Sequence, residues 1–91
     1  MEIEFDPAKR ASNLRKHGLD FNDAHRLFAG RYFEIEDDRE EYGEERWIAL
    51  GMIFETVVVC VWTPRRSETA RRIISLRKAD DDEAKDYFEN L

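Results

Sequence analysis

The sequence holds a single cysteine, Cys60, so no internal disulfide can staple the fold. It sits in the apolar run Thr56-Val57-Val58-Val59-Cys60-Val61-Trp62, where a lone thiol serves as a small core hydrophobe. No apolar stretch approaches the roughly 18 residues that a membrane-spanning helix needs. The segment Met1-Glu2-Ile3-Glu4-Phe5-Asp6 has neither a basic lead nor an apolar centre, so a secretory signal is not expected and a cytoplasmic location is. Internal repeats, low-complexity tracts and linkers are absent. The two histidines, His17 and His25, lie far from any cysteine pair, so no metal site and no other cofactor is expected. Serine-hydrolase, phosphate-loop and dinucleotide signatures are missing as well.

What remains is 91 residues, enough for one domain over 1–91. Charged residues make up 40% of the chain, and its eleven aromatic residues argue against disorder at that charge. The net charge of −6 speaks against a polyanionic partner until its distribution is read. Thirteen of the 21 acids lie in Glu36–Glu45 and Asp80–Glu89, which together hold two of the 15 bases, Arg39 and Lys85. The other 71 residues carry 13 bases against 8 acids. A polyanion responds to local potential, so a basic working face with acidic flanks is compatible with the total. Solvated acidic segments with scattered surface arginines are the plainer alternative.

Local patterns predict an α+β fold of order β-α-α-β-β-β(-β)-α, an antiparallel sheet with helices packed on it. Glu2–Phe5 alternates as a short strand does. Asp6-Pro7 starts a helix and Gly18 ends it after His17. Asp20 and Asp23 open a second helix carrying Phe21, Ala24, Leu27 and Phe28, which stops at Gly30; His25 within it reads as a packing or surface residue. Strands are expected over Arg31–Glu36, Arg46–Ile53, Thr56–Thr63 and Thr69–Arg77. The third of these is apolar on both faces, hence central. Asp80–Leu91 reads as a closing helix with Ala84, Tyr87, Phe88 and Leu91 on one face.

Two groups of residues can carry chemistry. On the first helix Ala8, Ala11 and Leu14 share one side, while Lys9, Asn13, Lys16 and His17 form a polar stripe. Ammonium, amide and imidazole groups there can bind phosphates and move protons, or simply be a solvated surface. In the last strand a period of two sets Arg71, Ser75 and Arg77 on one face and Arg72 on the other. With Arg65 and Arg66 this places five arginines within 13 residues. The guanidinium fork suits phosphate; edge-strand protection, or pairing with the acidic helix that follows, is the competing explanation.

Phe5-Asp6-Pro7-Ala8-Lys9, Asn13-Leu14-Arg15-Lys16-His17-Gly18-Leu19-Asp20-Phe21 and Arg72-Ile73-Ile74-Ser75-Leu76-Arg77, with Glu45-Arg46, Arg65, Ala79, Glu83 and Tyr87, resemble BrnT-type toxins of type II toxin–antitoxin systems in the RelE/ParE superfamily. Phe5 and Leu76 depart from the tryptophan and alanine usual there. The resemblance implies a RelE-like fold, ribonuclease action on cellular RNA without a metal, and growth arrest by the free toxin. It also implies a ribbon-helix-helix antitoxin and a joint complex on operator DNA.

Such cleavage uses the neighbouring 2′-hydroxyl as nucleophile. The expected roles are phosphate clamping by Arg72 and Arg77, helped by Arg46 or Arg65, and general-base action by His17 or Glu45. Lys9 and Lys16 would position RNA together with Asn13, Arg66, Arg71 and Ser75, while Tyr87 would stack on a base or donate a proton. The alternatives are a non-catalytic adaptor or inactive member binding a basic partner through the acidic segments, and a RelE-like toxin with a target other than RNA.

Overall fold

A computed structural model describes residues 1–91. The chain runs β1 (Glu2–Glu4), α1 (Pro7–His17), a 3₁₀ turn (Phe21–Asp23), α2 (Ala24–Ala29), β2 (Tyr32–Glu36), β3 (Trp47–Ile53), β4 (Thr56–Arg65), β5 (Ala70–Lys78) and α3 (Asp81–Glu89). Its five strands lie in the order β1-β5-β4-β3-β2. β2 to β5 are antiparallel neighbours, as expected for an α+β chain. β1 departs from that pattern and pairs parallel to β5, with Glu2, Ile3 and Glu4 opposite Ala70, Arg71 and Arg72. That pairing joins the two ends of the strand series, so no local turn announces it.

Helix boundaries follow the capping residues. The Asp6 carboxylate accepts the Ala8 N–H at 2.9 Å, Pro7 supplies the first helical position, and Gly18 closes α1 at φ 69°. In α3 the Asp80 carboxylate accepts the Glu83 N–H while the Glu83 carboxylate accepts the Asp80 N–H, a complete capping box.

Two layers of side chains hold the helices to the sheet. Phe21, Ala24 and Leu27 pack on Ala49, Val58, Cys60, Trp62, Ile73 and Leu76, which defines the α1/α2 face. Tyr87 packs on Leu50, Val57 and Val59 on the opposite, α3 face. β4 is sandwiched between the layers, and every residue from Val57 to Thr63 is buried, which explains its unbroken apolar run. α3 is short and covers only part of its face: Phe88 is 59% exposed and Leu91 54%, although both belong to its apolar stripe.

α1 sits differently from its apolar pattern. Its one buried residue is Asn13, whereas Leu14 is 39% exposed. β1 covers β5 only as far as Arg72, and beyond it α1 lies against β5. Asn13 meets that edge as a neighbouring strand would: its Oδ1 accepts the Leu76 N–H at 3.2 Å and its Nδ2 donates to the Leu76 carbonyl at 2.8 Å. A second Nδ2 bond, 3.1 Å to the Leu19 carbonyl, ties in the segment after the helix.

Candidate functional site

The working face is set by a bulge in β5. Val61 pairs with Ser75 and Trp62 with Ile73, so Ile74 has no partner across the ladder. An extra residue reverses the alternation of side chains beyond it. Ile73 and Leu76 therefore both enter the α1/α2 core. Arg72, Ser75 and Arg77, opposite Thr63, Val61 and Val59, come together on the α3 face. This corrects the regular-strand expectation: Arg72 and Arg77 share a face, and Arg71 is the residue left on the other. At about 3.3 Å per residue, Arg72 and Arg77 lie roughly 16 Å apart, so each would meet its own phosphate.

Each of these arginines already has a carboxylate. Arg77 is held by Glu83 through two contacts of 2.8 Å, which raise the Arg77 pKa and hold the Glu83 carboxyl at about 2. Arg72 and Arg65 both approach Glu4, at 3.6 and 3.8 Å. Arg66, in the β4–β5 turn, reaches Glu2 at 2.8 Å and Glu4 at 3.2 Å. That turn runs through three consecutive residues with positive φ, Arg66, Ser67 and Glu68, none of them glycine. Such backbone is costly and persists only where the surroundings dictate it; here the Thr69 N–H and hydroxyl both bond the Arg66 carbonyl.

Between this turn and the β2–β3 loop lies a polar recess of about 490 Å³, lined in part by Glu45, Thr63, Arg65 and Arg66. The Glu45 carboxylate accepts the Trp47 indole N–H at 2.7 Å, and the Thr63 hydroxyl donates to the Glu45 carbonyl. Arg46 stacks over the Tyr42 ring at 3.9 Å and pairs with Glu44.

The α1 stripe lies elsewhere. Lys9, Lys16, His17 and Ser75 line a second, smaller recess of about 190 Å³ at the β5 edge. Asn13 borders it, but both ends of its amide are consumed by the backbone bonds described above, so it is not free for RNA. Arg71, on the α1/α2 face, packs 3.9 Å over Phe28 and 4.9 Å from Trp62, and donates to the Tyr32 hydroxyl. Burial raises the pKa of Glu34, with the Arg71 charge opposing the shift. Tyr87 is a core residue: it stacks on Phe33, and its hydroxyl donates to the Arg31 carbonyl at 2.8 Å, leaving neither ring nor proton for a substrate. The first-helix amines and the strand guanidinia therefore form two separate groups. Nine of the 15 Lys and Arg residues have a carboxylate within 4 Å; Lys9, Arg15, Lys16, Arg31, Arg71 and Lys78 do not. No three His, Cys, Asp or Glu side chains are grouped as metal ligands would be.

The family model described as the ribonuclease toxin BrnT of type II toxin–antitoxin systems matches residues 5–83. The chain belongs to the BrnT family. It is similar to the crystal structure of the Brucella abortus ribonuclease toxin BrnT, with a TM-score of 0.65 and 31% identity over 89% of this chain and 99% of that one. No curated protein sequence matches it.

For a BrnT-family chain the sequence reading missed two residues of the arginine face, Glu4 and Arg39. Glu4 carried a signal in retrospect, because the alternation of β1 sets Glu2 and Glu4 on one side. Arg39 stands in the acidic loop, where it holds the buried Asp37 carboxylate at 2.7 and 2.8 Å and depresses its pKa. No pattern in the sequence marks that pairing.

Proposed function

We propose that this chain is a metal-independent endoribonuclease of the cytoplasm, the toxin of a type II pair neutralised by a ribbon-helix-helix antitoxin. The observation that carries the reading is family membership over residues 5–83. A solved relative, the Brucella abortus ribonuclease toxin, adds weight. The charge distribution adds less, since most of the arginines are internally paired.

Within that reading the bulge supplies the chemistry. Arg72 and Arg77 face the same side and take successive parts of the RNA backbone by charge-assisted forks. Arg65 stands at the recess that also contains Glu45. In this reading Glu45 takes the 2′-hydroxyl proton while Arg65 offsets charge developing on the phosphate, and their sharing one recess supports the pairing. His17, the other candidate base, sits beyond the β5 edge with Lys9 and Lys16, and that group guides the strand. The antitoxin neutralises the toxin by covering the part of the α3 face that α3 leaves open, and the joint complex binds operator DNA.

Purified toxin incubated with naked RNA, with and without a chelator, tests this. Cleavage in both arms is expected, and Arg77→Ala is expected to reduce the rate by about 10²–10³. A protein that remains folded and never cleaves, with or without ribosomes, refutes the ribonuclease and returns the adaptor.

A further inference from the structure

We infer that the Glu4 carboxylate occupies the seat of a substrate phosphate, so that RNA must displace it on binding. The identity of the anion rests on the ribonuclease reading above. Glu4 is the only carboxylate on which three guanidinia converge: Arg65 Nε at 3.8 Å, Arg66 Nε at 3.2 Å and Arg72 Nη1 at 3.6 Å.

All three distances exceed the 2.7–2.9 Å or so of a charge-assisted hydrogen bond. Three other paired arginines behave differently, while Arg26 and Arg46 make one contact each, at 3.2 and 3.0 Å, with a carboxylate of their own. Arg77 and Glu83 meet at 2.8 and 2.8 Å, Arg39 and Asp37 at 2.7 and 2.8 Å, and Arg10 and Asp20 at 2.8 and 2.7 Å, each as a two-pronged fork. Arg65 and Arg72 instead share a single oxygen, Oε1 of Glu4. The only other carboxylate on these three is Glu2, which bonds Arg66 at 2.8 Å. Three cations thus face two anions, and none of the three holds a two-pronged fork on one carboxylate.

A phosphodiester fits that deficit better than a carboxylate does, because its oxygens point in more directions and each guanidinium can take its own. The occupant is also held weakly. β1 is three residues long and pairs only with Ala70–Arg72, with one further bond from the Glu2 N–H to the Thr69 carbonyl, and the Glu4 side chain is 26% exposed. The recess containing Glu45 and Arg65 opens beside it. An internal carboxylate therefore acts as a competitor built into the phosphate seat, and it is one means by which an acidic toxin limits its affinity for bulk RNA.

The test compares wild type, Glu4→Gln and Glu36→Gln, the last removing the same charge from an exposed residue on β2. Binding of inorganic phosphate and of a non-cleavable 2′-O-methyl RNA is measured by calorimetry at several salt concentrations. Glu4→Gln is expected to bind both probes about tenfold tighter, to steepen the log–log salt slope by about one, and to lose the gain when Arg72→Ala is added. Glu36→Gln is expected to change affinity less than about twofold.

A folded Glu4→Gln no tighter than Glu36→Gln, or a gain that survives Arg72→Ala, overturns the inference. If Glu4→Gln does not fold, phosphate titrated into wild type must shift the side-chain resonances of Arg65, Arg66 and Arg72 before those of other arginines; uniform shifts overturn it equally. Wild-type cleavage without a Glu4 effect removes the phosphate seat alone. A Glu4 effect on phosphate binding in a protein that never cleaves RNA removes the ribonuclease alone.

Discussion

Replacing Asn13 by alanine separates two uses of one amide. In the fold it is a surrogate strand: it matches the N–H and C=O of Leu76 at 3.2 and 2.8 Å, with both bonds buried, and reaches the Leu19 carbonyl at 3.1 Å. Truncation leaves the two Leu76 groups without partners under α1. Each buried unsatisfied group costs about 1–3 kcal/mol, so at roughly 1.5 kcal/mol apiece the loss is about 3 kcal/mol; Leu19, only part-buried, adds little. For a domain of this size about 1 kcal/mol moves Tm by roughly 5 °C, which predicts a Tm lower by about 15 °C. Asn13→Asp keeps the acceptor for Leu76 N–H but sets a carboxylate against two carbonyl oxygens, and is expected to be at least as damaging. Thermal unfolding followed by circular dichroism, with urea titration for the free energy, reads both variants. If Asn13 served RNA from a solvated helix surface, Asn13→Ala would stay within about 0.5 kcal/mol of wild type while binding fell. A loss below about 1 kcal/mol refutes the strand-surrogate account.

Other perturbations follow from the packing and the ion pairs. A Cβ on Gly51 would lie 2.8 Å from Leu27 Cγ and 3.1 Å from both Leu27 Cδ2 and Tyr32 Cβ. Leu27 is fully buried, so Gly51→Ala is expected to cost about 1–3 kcal/mol in urea unfolding. Arg77 holds the Glu83 carboxyl at about 2 in the folded chain, below its ordinary value of 4.5. Its stabilisation is therefore complete above the ordinary value and lost as pH falls toward 2. The stability gap between wild type and Glu83→Gln should stay constant from pH 7 to about 5, then close by about 2; a gap that widens on acidification contradicts the pairing. Burial pushes the Cys60 thiol up to about 12, so a thiol reagent at pH 8 should label it only in denaturant, and rapid native labelling would contradict its burial.

Much of the fold was legible because its signals are local. Asp6-Pro7 and Gly18 bracket α1 through groups within a few residues of each other, and the run Val57–Trp62 declares a strand buried on both sides. The site was less legible because its geometry depends on one unpaired residue. Nothing in Arg71-Arg72-Ile73-Ile74-Ser75 marks Ile74 as the bulge: no glycine, no proline, and apolar residues on both sides of the step. Yet that residue decides which arginines share a face. Asn13 escaped for a related reason. It lies on the same face of the helix as Lys9 and Lys16, and only the uncovered edge of β5, a long-range fact, draws it inward. Tyr87 failed in the opposite direction, since an aromatic on an amphipathic helix is suited to stacking on a base and equally to closing a core.

The acidic segments gain a different meaning once their partners are counted. An adaptor reading needs carboxylates free to receive a basic protein, and several of the strongest are already engaged. Asp37, its side chain fully buried, accepts from Arg39 and from the Tyr42 hydroxyl, which folds the β2–β3 loop back on itself. Glu44 and Glu45 fix Arg46 and Trp47. Asp80 and Glu83 cap α3, and Glu83 also orients Arg77. Asp81 and Asp82 sit in the first turn of α3, where the helix dipole favours negative charge. Glu83 and Glu44 hold Arg77 and Arg46 in place, and Glu2 and Glu4 of β1 do the same for Arg65, Arg66 and Arg72. A net charge of −6 is thus compatible with RNA as a substrate: the molecule gives up nonspecific attraction to polyanions and keeps a small set of oriented guanidinia. On the proposed ribonuclease function, discrimination then falls to the few phosphates able to displace a carboxylate, and weakly held Glu4 yields before tightly forked Glu83.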